Sequence, residues 1–377
     1  MPSLLSMIHS QSLLLFITTC CVIISSSTIN AVDIDCTSES SLVSLISCVK
    51  SSIQPKDSEL YSVVTEESTH MQFYHLIQNI TSMKQCESVV IPSPLSTIFK
   101  SKTYVDDGTS YCVVYTYQDI NNDGYFDDGH GVYIINVDEL PNPISVVVPH
   151  PLYDTNTPAL GITVFSTLKG HAFSIAGAHR HANDITSTCQ SSYKVADSVH
   201  NVDNFFLTFH TAIDDLTSAS PEGALPHVEF HSMGSSTCPG VDVFVTSGFS
   251  DPPDSLSPAA TIFNSAVSAK PDWVVSYPDA ANSNGCNLYG TGNTVGRMMN
   301  GVPRADICTT SADKATALAS SVFVQVELKW DFRSGSDWAP IMLDAFPLPT
   351  PTPSSSPSAG SSCYHFDIES GYKSDVE

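Results

Sequence analysis

Histidines and carboxylates cluster where predicted β-strands end. One strand ends in "VVVPHPLYDTNT", which carries His150 and Asp154, and another ends in "VEFHSMG", which carries His231. His150 and Asp154 are four residues apart where a strand gives way to a helix, so both side chains can face one point. A catalytic zinc takes three protein ligands and keeps one position open for water. We therefore predict that His150, Asp154 and His231 bind one zinc ion.

A second carboxylate competes for the role of acidic ligand. Glu229 precedes His231 by two residues, so the two side chains lie on the same face of the predicted strand. From the residues alone, Glu229 could replace Asp154 in the cluster.

A third cluster, "SIAGAHRHAND", follows another predicted strand and is predicted to bind substrate through Arg180, His181 and Asn183. An arginine can hold a carboxylate through two parallel hydrogen bonds. We assign the substrate carboxylate to Arg180, with an ion pair to Asp184 as the structural alternative.

One carboxylate, Glu327, interrupts the apolar stretch "VFVQVEL". Burying a carboxylate without a partner costs several kcal/mol, so a partner is expected. Beside a zinc site, Glu327 could take a proton from the attacking water as a general base. An ion pair with Lys329 or Arg333 is the structural alternative. The other histidines of this region are predicted to be structural or solvent-facing: His171, His200, His210 and His227.

The segment "DINNDGYFDDGHG" has the spacing of a calcium-binding loop. Its oxygen-bearing residues occupy positions one, three, five and nine of such a loop: Asp119, Asn121, Asp123 and Asp127. An EF-hand requires glutamate at position twelve, where His130 stands, and flanking helices, where the sequence favours strands. The segment is therefore either a calcium site outside an EF-hand or an acidic turn.

The elements that position these clusters alternate between strand and helix. This order predicts an α/β fold with a mixed, mostly parallel sheet flanked by helices, in which sites form at the carboxyl ends of strands. The predicted segments are a signal peptide at 1–31, an N-terminal helical region at 32–102, a β-rich segment at 103–148 containing the acidic loop, an α/β catalytic core at 149–346, and a disordered Pro/Ser-rich tail at 347–377.

Composition and the N-terminus predict a secreted protein. The chain has 377 residues and a formal net charge of −24, which repels nucleic acid. "SLLLFITTCCVII" is too short for a comfortable membrane span and is typical of a signal peptide, so no membrane insertion is expected after its cleavage. An uncleaved membrane anchor is the alternative. Asn79 begins the glycosylation motif Asn-Ile-Thr.

Cysteine usage is consistent with export. Of the 11 cysteines, Cys20 and Cys21 lie in the predicted signal, which leaves nine. In an oxidising compartment most of these should pair. Pairing of neighbours would give Cys36–Cys48, Cys86–Cys112, Cys189–Cys238 and Cys286–Cys308, with Cys363 unpaired, although spacing alone does not fix the connectivity.

The order of these motifs resembles that of the N-formylglutamate amidohydrolase family. The motifs are "VVVPHP", "GAHRHAND", "EFHSMGSS" and "FVQVEL", and they span about residues 144–333. More distantly, the chain is similar to zinc carboxypeptidases and succinylglutamate desuccinylases. The resemblance implies a zinc-carboxypeptidase-like fold with an N-terminal extension. It assigns one zinc to His150, Asp154 and His231, the substrate carboxylate to Arg180 and the general base to Glu327. Pro151 stands where the family has glycine after its first histidine.

We therefore predict a secreted zinc-dependent hydrolase that cleaves an amide bond in a small-molecule or peptide substrate bearing a carboxylate, such as an N-acyl amino acid. Two alternatives remain open. One is a non-catalytic extracellular protein that binds calcium or another ligand on the same fold, and the other is a metal-dependent esterase or deacetylase.

Overall fold

A computed structural model describes residues 32–59, 61–138, 141–219, 223–249, 257–278, 285–315 and 321–348. The predicted signal peptide, the predicted tail beyond residue 348 and Cys363 lie outside these residues. None of the helices in the described ranges is long and apolar enough to cross a membrane.

A nine-stranded mixed sheet forms the centre of the fold and confirms the predicted α/β class. The strand order is β10-β9-β11-β8-β6-β7-β5-β3-β2. Its strands are β2 (Phe99–Asp106), β3 (Thr109–Thr116), β5 (Val132–Asn136), β6 (Asn142–Val148), β7 (Gly170–Ile175), β8 (His227–Ser232), β9 (Val243–Thr246), β10 (Val275–Ser276) and β11 (Phe323–Leu328). The adjacent strands β11, β8, β6 and β7 all run parallel, so their carboxyl ends lie at one edge. Strands β5, β3 and β2 extend the sheet in antiparallel pairs. A separate pair joins β1 (Val32–Asp33) to β4 (Gln118–Asp119).

Seven α-helices flank this sheet. They are α1 (Leu42–Ser51), α2 (Glu67–Met83), α3 (Thr157–Leu168), α4 (Phe205–Ser218), α5 (Pro258–Ala269), α6 (Thr294–Met299) and α7 (Gly335–Ala345), counted over the described ranges. Helices α1, α3, α5 and α7 pack on one face of the sheet, and α2, α4 and α6 pack on the other.

The alternation of side chains along the strands explains why both faces carry helices. Val146 and Val148 enter one core while Val147 enters the other, because successive residues of a strand point to opposite faces. Strands buried on both sides read as continuous apolar runs, as β6 does. On β8, Val228 and Phe230 fill the α3/α7 side, which leaves Glu229 and His231 for the opposite face.

Four disulfides join the described cysteines, and two of the predicted pairs are correct. Cys36–Cys48 and Cys86–Cys112 form as predicted. The other two predicted pairs are wrong, because Cys189 bonds to Cys308 and Cys238 bonds to Cys286. These last two bonds join cysteines that are 119 and 48 residues apart in the sequence, which pairing by sequence neighbourhood does not predict. Disulfides of this number are typical of an oxidising, extracellular environment.

Candidate metal centre

The connection from β6 to α3 places two of the predicted ligands. The amide N–H of Asp154 donates to the carbonyl oxygen of His150 (2.7 Å), and the Thr157 hydroxyl donates to the Asp154 carbonyl at the start of α3. This turn brings the side chains of His150 and Asp154 together, with the His150 Nδ1 atom 3.2 Å from Asp154 Oδ2. Both residues are buried.

His231, near the end of β8, completes the cluster. Its Nδ1 atom lies 3.0 Å from the same Oδ2 atom of Asp154. One possible ligand atom from each of His150, Asp154 and His231 lies within 4.8 Å of the others. The convergence expected from the sequence is therefore present. No other group of three histidines, cysteines or acidic residues meets this criterion within the described ranges.

The opposite edge of each imidazole contacts a second carboxylate. The Nε2 atom of His150 lies 3.0 Å from Asp197 Oδ1, and the Nε2 atom of His231 lies 2.5 Å from Glu229 Oε1. Glu229 is fully buried behind the His231 ring, where Asn293 also donates to it (2.6 Å). The geometry thus places Asp154 in the cluster and Glu229 outside it.

This pattern suits a metal. Histidine ligands almost always donate their second ring N–H to a carboxylate, carbonyl or water, which fixes the tautomer and leaves the other nitrogen for the ion. Both Nδ1 atoms and the Asp154 carboxylate would then be the donors, the three-ligand set of a catalytic zinc site. The donor types fit zinc. The carboxylates of Asp197 and Glu229 are placed to accept the second ring N–H of each histidine, as metal-binding histidines require.

The charged groups of the cluster shift one another's pKa values. Burial opposes ionisation of Asp154, but the imidazoles of His150 and His231 outweigh burial and hold the pKa of that carboxyl well below its usual range. Burial also opposes protonation of His231, yet Asp154 and Glu229 raise the pKa of His231 well above its ordinary value. The site therefore concentrates negative charge in a buried place, which is what a cation requires.

A cavity of about 310 Å³ opens onto His150 and His231. Its other walls come from the loop after β7, which contributes Arg180, Tyr193 and His200, from residues 287–293, and from Gln325 and Glu327 of β11. Polar side chains and backbone groups make up most of this lining. Substrate of modest size could therefore reach the cluster from this side.

Glu327 lies in this cavity wall rather than in an ion pair. Strands β8 and β11 are in register so that Glu327 is opposite His231. The Gln325 amide donates to Glu327 Oε1 (2.8 Å). Burial raises the pKa of Glu327 to about 7, against the opposing charge of His231. The Arg333 alternative is not realised, since the guanidinium donates to the carbonyl oxygens of Leu328, Thr155 and Met233.

Arg180 also reaches the cavity. Its Nη2 atom lies 2.5 Å from Asp197 Oδ2, so its ion-pair partner is Asp197 and not Asp184, which instead pairs with Lys194. The guanidinium lies 5.1 Å from the centre of the Tyr153 ring and 5.8 Å from that of Tyr193. Its Nε atom is buried and has no hydrogen-bond partner among the described residues.

The structure does not bring the other two predicted substrate-binding residues to the cavity wall. Asn183 is buried in its own loop, where it donates to the Tyr61 carbonyl and accepts from the Ile185 amide. The His181 ring packs beside those of Tyr153 and His179. His200, predicted to be structural or solvent-facing, does line the cavity. Its ring stacks on Tyr193 at 3.5 Å and its Nδ1 atom lies 2.9 Å from Gln190 Oε1.

The remaining histidines of the region lie away from the cavity. His210 and His227 are buried with ring centres 5.3 Å apart, and Ser174 contacts the Nε2 atom of His210. His171 lies near them on β7 and is partly exposed.

The acidic loop is closed by its own hydrogen bonds. The two carboxylate oxygens of Asp119 accept the amides of Asp123 and Gly124, at 3.0 and 2.9 Å. Asp123 accepts from Tyr125, and Asp127 accepts from Ile120. Calcium binding by this loop stays a prediction.

Comparisons with known proteins add little to this geometry. No protein-family model and no curated protein matches the chain. Among solved structures, the chain is similar to a protein from Shewanella amazonensis SB2B described as a candidate metallopeptidase. That likeness has 10% identity and a TM-score of 0.26, and it covers 76% of this chain and 95% of the other. A likeness this weak assigns no function to this chain.

Proposed function

We propose that this protein is a secreted zinc-dependent hydrolase that cleaves an amide bond next to a carboxylate, as in N-acyl amino acids or peptide ends. The observation that supports it most is the convergence of His150, Asp154 and His231 at the wall of a polar cavity. Each imidazole is backed by a carboxylate, as in metal sites. The disulfides agree with an exported protein.

The residues around the cluster have complementary chemical roles. A zinc ion bound there would activate water and polarise the substrate carbonyl. Glu327 lies across from His231 and has a pKa raised by burial to about 7, which suits a general base near neutral pH. Gln325 fixes one oxygen of that carboxylate. Arg180 supplies the charge that selects a carboxylate-bearing substrate and orients it.

The test measures zinc content and hydrolysis of N-acyl amino acids, beside matched N-acyl amines that lack the carboxylate. We expect about one zinc per chain and a preference for the acids. Glu327→Gln keeps the shape of the side chain and removes its basicity, so turnover should fall by about 10²–10⁴-fold while zinc content is unchanged. Arg180→Lys should mainly weaken substrate binding, because lysine cannot form the two-pronged contact.

The matched control is Glu87→Gln, which neutralises an exposed glutamate and should change neither quantity. A protein that takes up no zinc, or a Glu327→Gln variant that hydrolyses substrate at the wild-type rate, would contradict the proposal. Hydrolysis of acids and amines at equal rates would remove the role given to Arg180.

A further inference from the structure

One buried carboxylate touches both halves of the candidate site. Asp197 Oδ1 lies 3.0 Å from the Nε2 atom of His150, and Asp197 Oδ2 lies 2.5 Å from the Nη2 atom of Arg180. The Asp197 side chain is 1% exposed. A single negative charge is thus shared between a candidate metal ligand and the residue assigned to the substrate.

The backbone around Asp197 holds this arrangement in place. The Asp197 amide donates to the Lys194 carbonyl, and its own carbonyl accepts from the His200 amide. The next residue, Ser198, donates through its hydroxyl to the Pro149 carbonyl at 3.0 Å, directly before His150. If the Asp197 carboxylate shifts toward His150 or toward Arg180, its contact with the other residue therefore changes as well.

We propose that Asp197 is a positioning residue that couples the substrate-carboxylate site to the metal site, an inference that depends on the proposed function. When the Arg180 guanidinium binds a substrate carboxylate, it interacts with two anions at once. Its interaction with the Asp197 carboxylate therefore becomes weaker. The Asp197 carboxylate then interacts more strongly with the Nε2–H of His150. A stronger acceptor there makes the imidazole a more basic ligand. Substrate binding therefore tightens metal binding, and the coupling is reciprocal.

The experiment is a double-mutant cycle on zinc affinity, measured by competition with a chelator. Asp197→Asn should weaken zinc binding about 10–100-fold, as loss of such a partner of a metal ligand typically does. Arg180→Gln should instead tighten zinc binding about 3–10-fold, because it frees Asp197 for His150. With Asp197→Asn already present, Arg180→Gln should have little further effect.

The control separates coupling from loop stability. Ser198→Ala removes one hydrogen bond of the same turn but keeps the Asp197 carboxylate beside His150 and Arg180, so it should weaken zinc binding much less than Asp197→Asn does. If Ser198→Ala weakens zinc binding as much as Asp197→Asn does, Asp197 only holds the loop and the inference is overturned. Equal effects of Arg180→Gln with and without Asp197→Asn would also overturn it, because the effect would then act directly through space.

A second measurement covers the case in which Asp197→Asn does not fold. Wild-type protein is titrated with zinc in the presence and absence of saturating butanoate, a carboxylate without a bond to hydrolyse. Tighter zinc binding with butanoate supports the coupling, and unchanged affinity overturns it. Wild-type protein that binds no zinc would refute the proposed function itself, whereas zinc binding without coupling refutes this inference alone.

Discussion

His130 should make the folded protein sensitive to mild acid. The residue is buried between β4 and β5, and its ring packs edge-on against Phe205 at 4.9 Å between ring centres. Neither ring nitrogen has a hydrogen-bond partner in the part of the chain that the structure describes. Burial lowers the pKa of His130 to about 3, with a smaller contribution from His70. We predict that His130→Phe reduces the loss of stability on acidification.

The magnitude follows from proton linkage. An unfolded histidine has a pKa near 6.5, so between pH 6.5 and pH 3 the unfolded chain binds a proton that the folded chain excludes. The unfolded state is therefore favoured as the pH falls through this window, and full stability is present only above it. At pH 5 the difference from the unfolded pKa is about 1.5 units, which at about 1.4 kcal/mol per unit is about 2 kcal/mol.

Urea unfolding at pH 8 and pH 5 measures this quantity. From pH 8 to pH 5, the free energy of unfolding of the wild-type protein should fall by about 2 kcal/mol more than that of His130→Phe. The slope of this free energy against urea concentration should be the same for both proteins. Comparing each protein with itself removes any change in packing caused by the larger ring. His75→Phe replaces an exposed histidine and should lose as much as the wild type. Equal pH dependence in His130→Phe and wild type would refute the reasoning, since the buried ring would then accept its proton in the folded state.

Two further predictions concern the backbone and the disulfides. Gly131→Ala should lower the free energy of unfolding in urea by at least about 2 kcal/mol, because Gly131 has φ +91° and a Cβ there would collide with the Ile175 carbonyl. The control is Gly108→Ala, at φ +73° in open space, which should lower it by about 1 kcal/mol. Mass spectrometry of an unreduced digest should recover Cys189 linked to Cys308 and Cys238 linked to Cys286, and a Cys189–Cys238 peptide would contradict the fold at the cavity wall.

The sequence predicts much of the fold because its signals are local. The apolar run of β6, the alternation along β8 and the helical spacing in α1 and α4 each arise from a short segment. The local sequence does not predict helix α7, because "GSDWAPIMLDA" contains Pro340, which disfavours a helix interior. Its place is set by tertiary packing, where Trp338 is fully buried against Phe230 and Trp273.

The same distinction explains what the sequence predicts of the candidate site. His150 and His231 each follow or end a strand, and parallel strands put their carboxyl ends at one edge, so local pattern was enough to bring them together. Asp197 lies in a long stretch between β7 and α4, 47 residues after His150, and no local pattern marks it. One signal was available: a predicted metal-binding histidine needs a carboxylate or carbonyl at its second nitrogen. That requirement says that a partner must exist but not which acidic residue it is. Asp197 lies between His150 and Arg180 only because of the folded conformation of this loop, which the Cys189–Cys308 disulfide links to the rest of the chain.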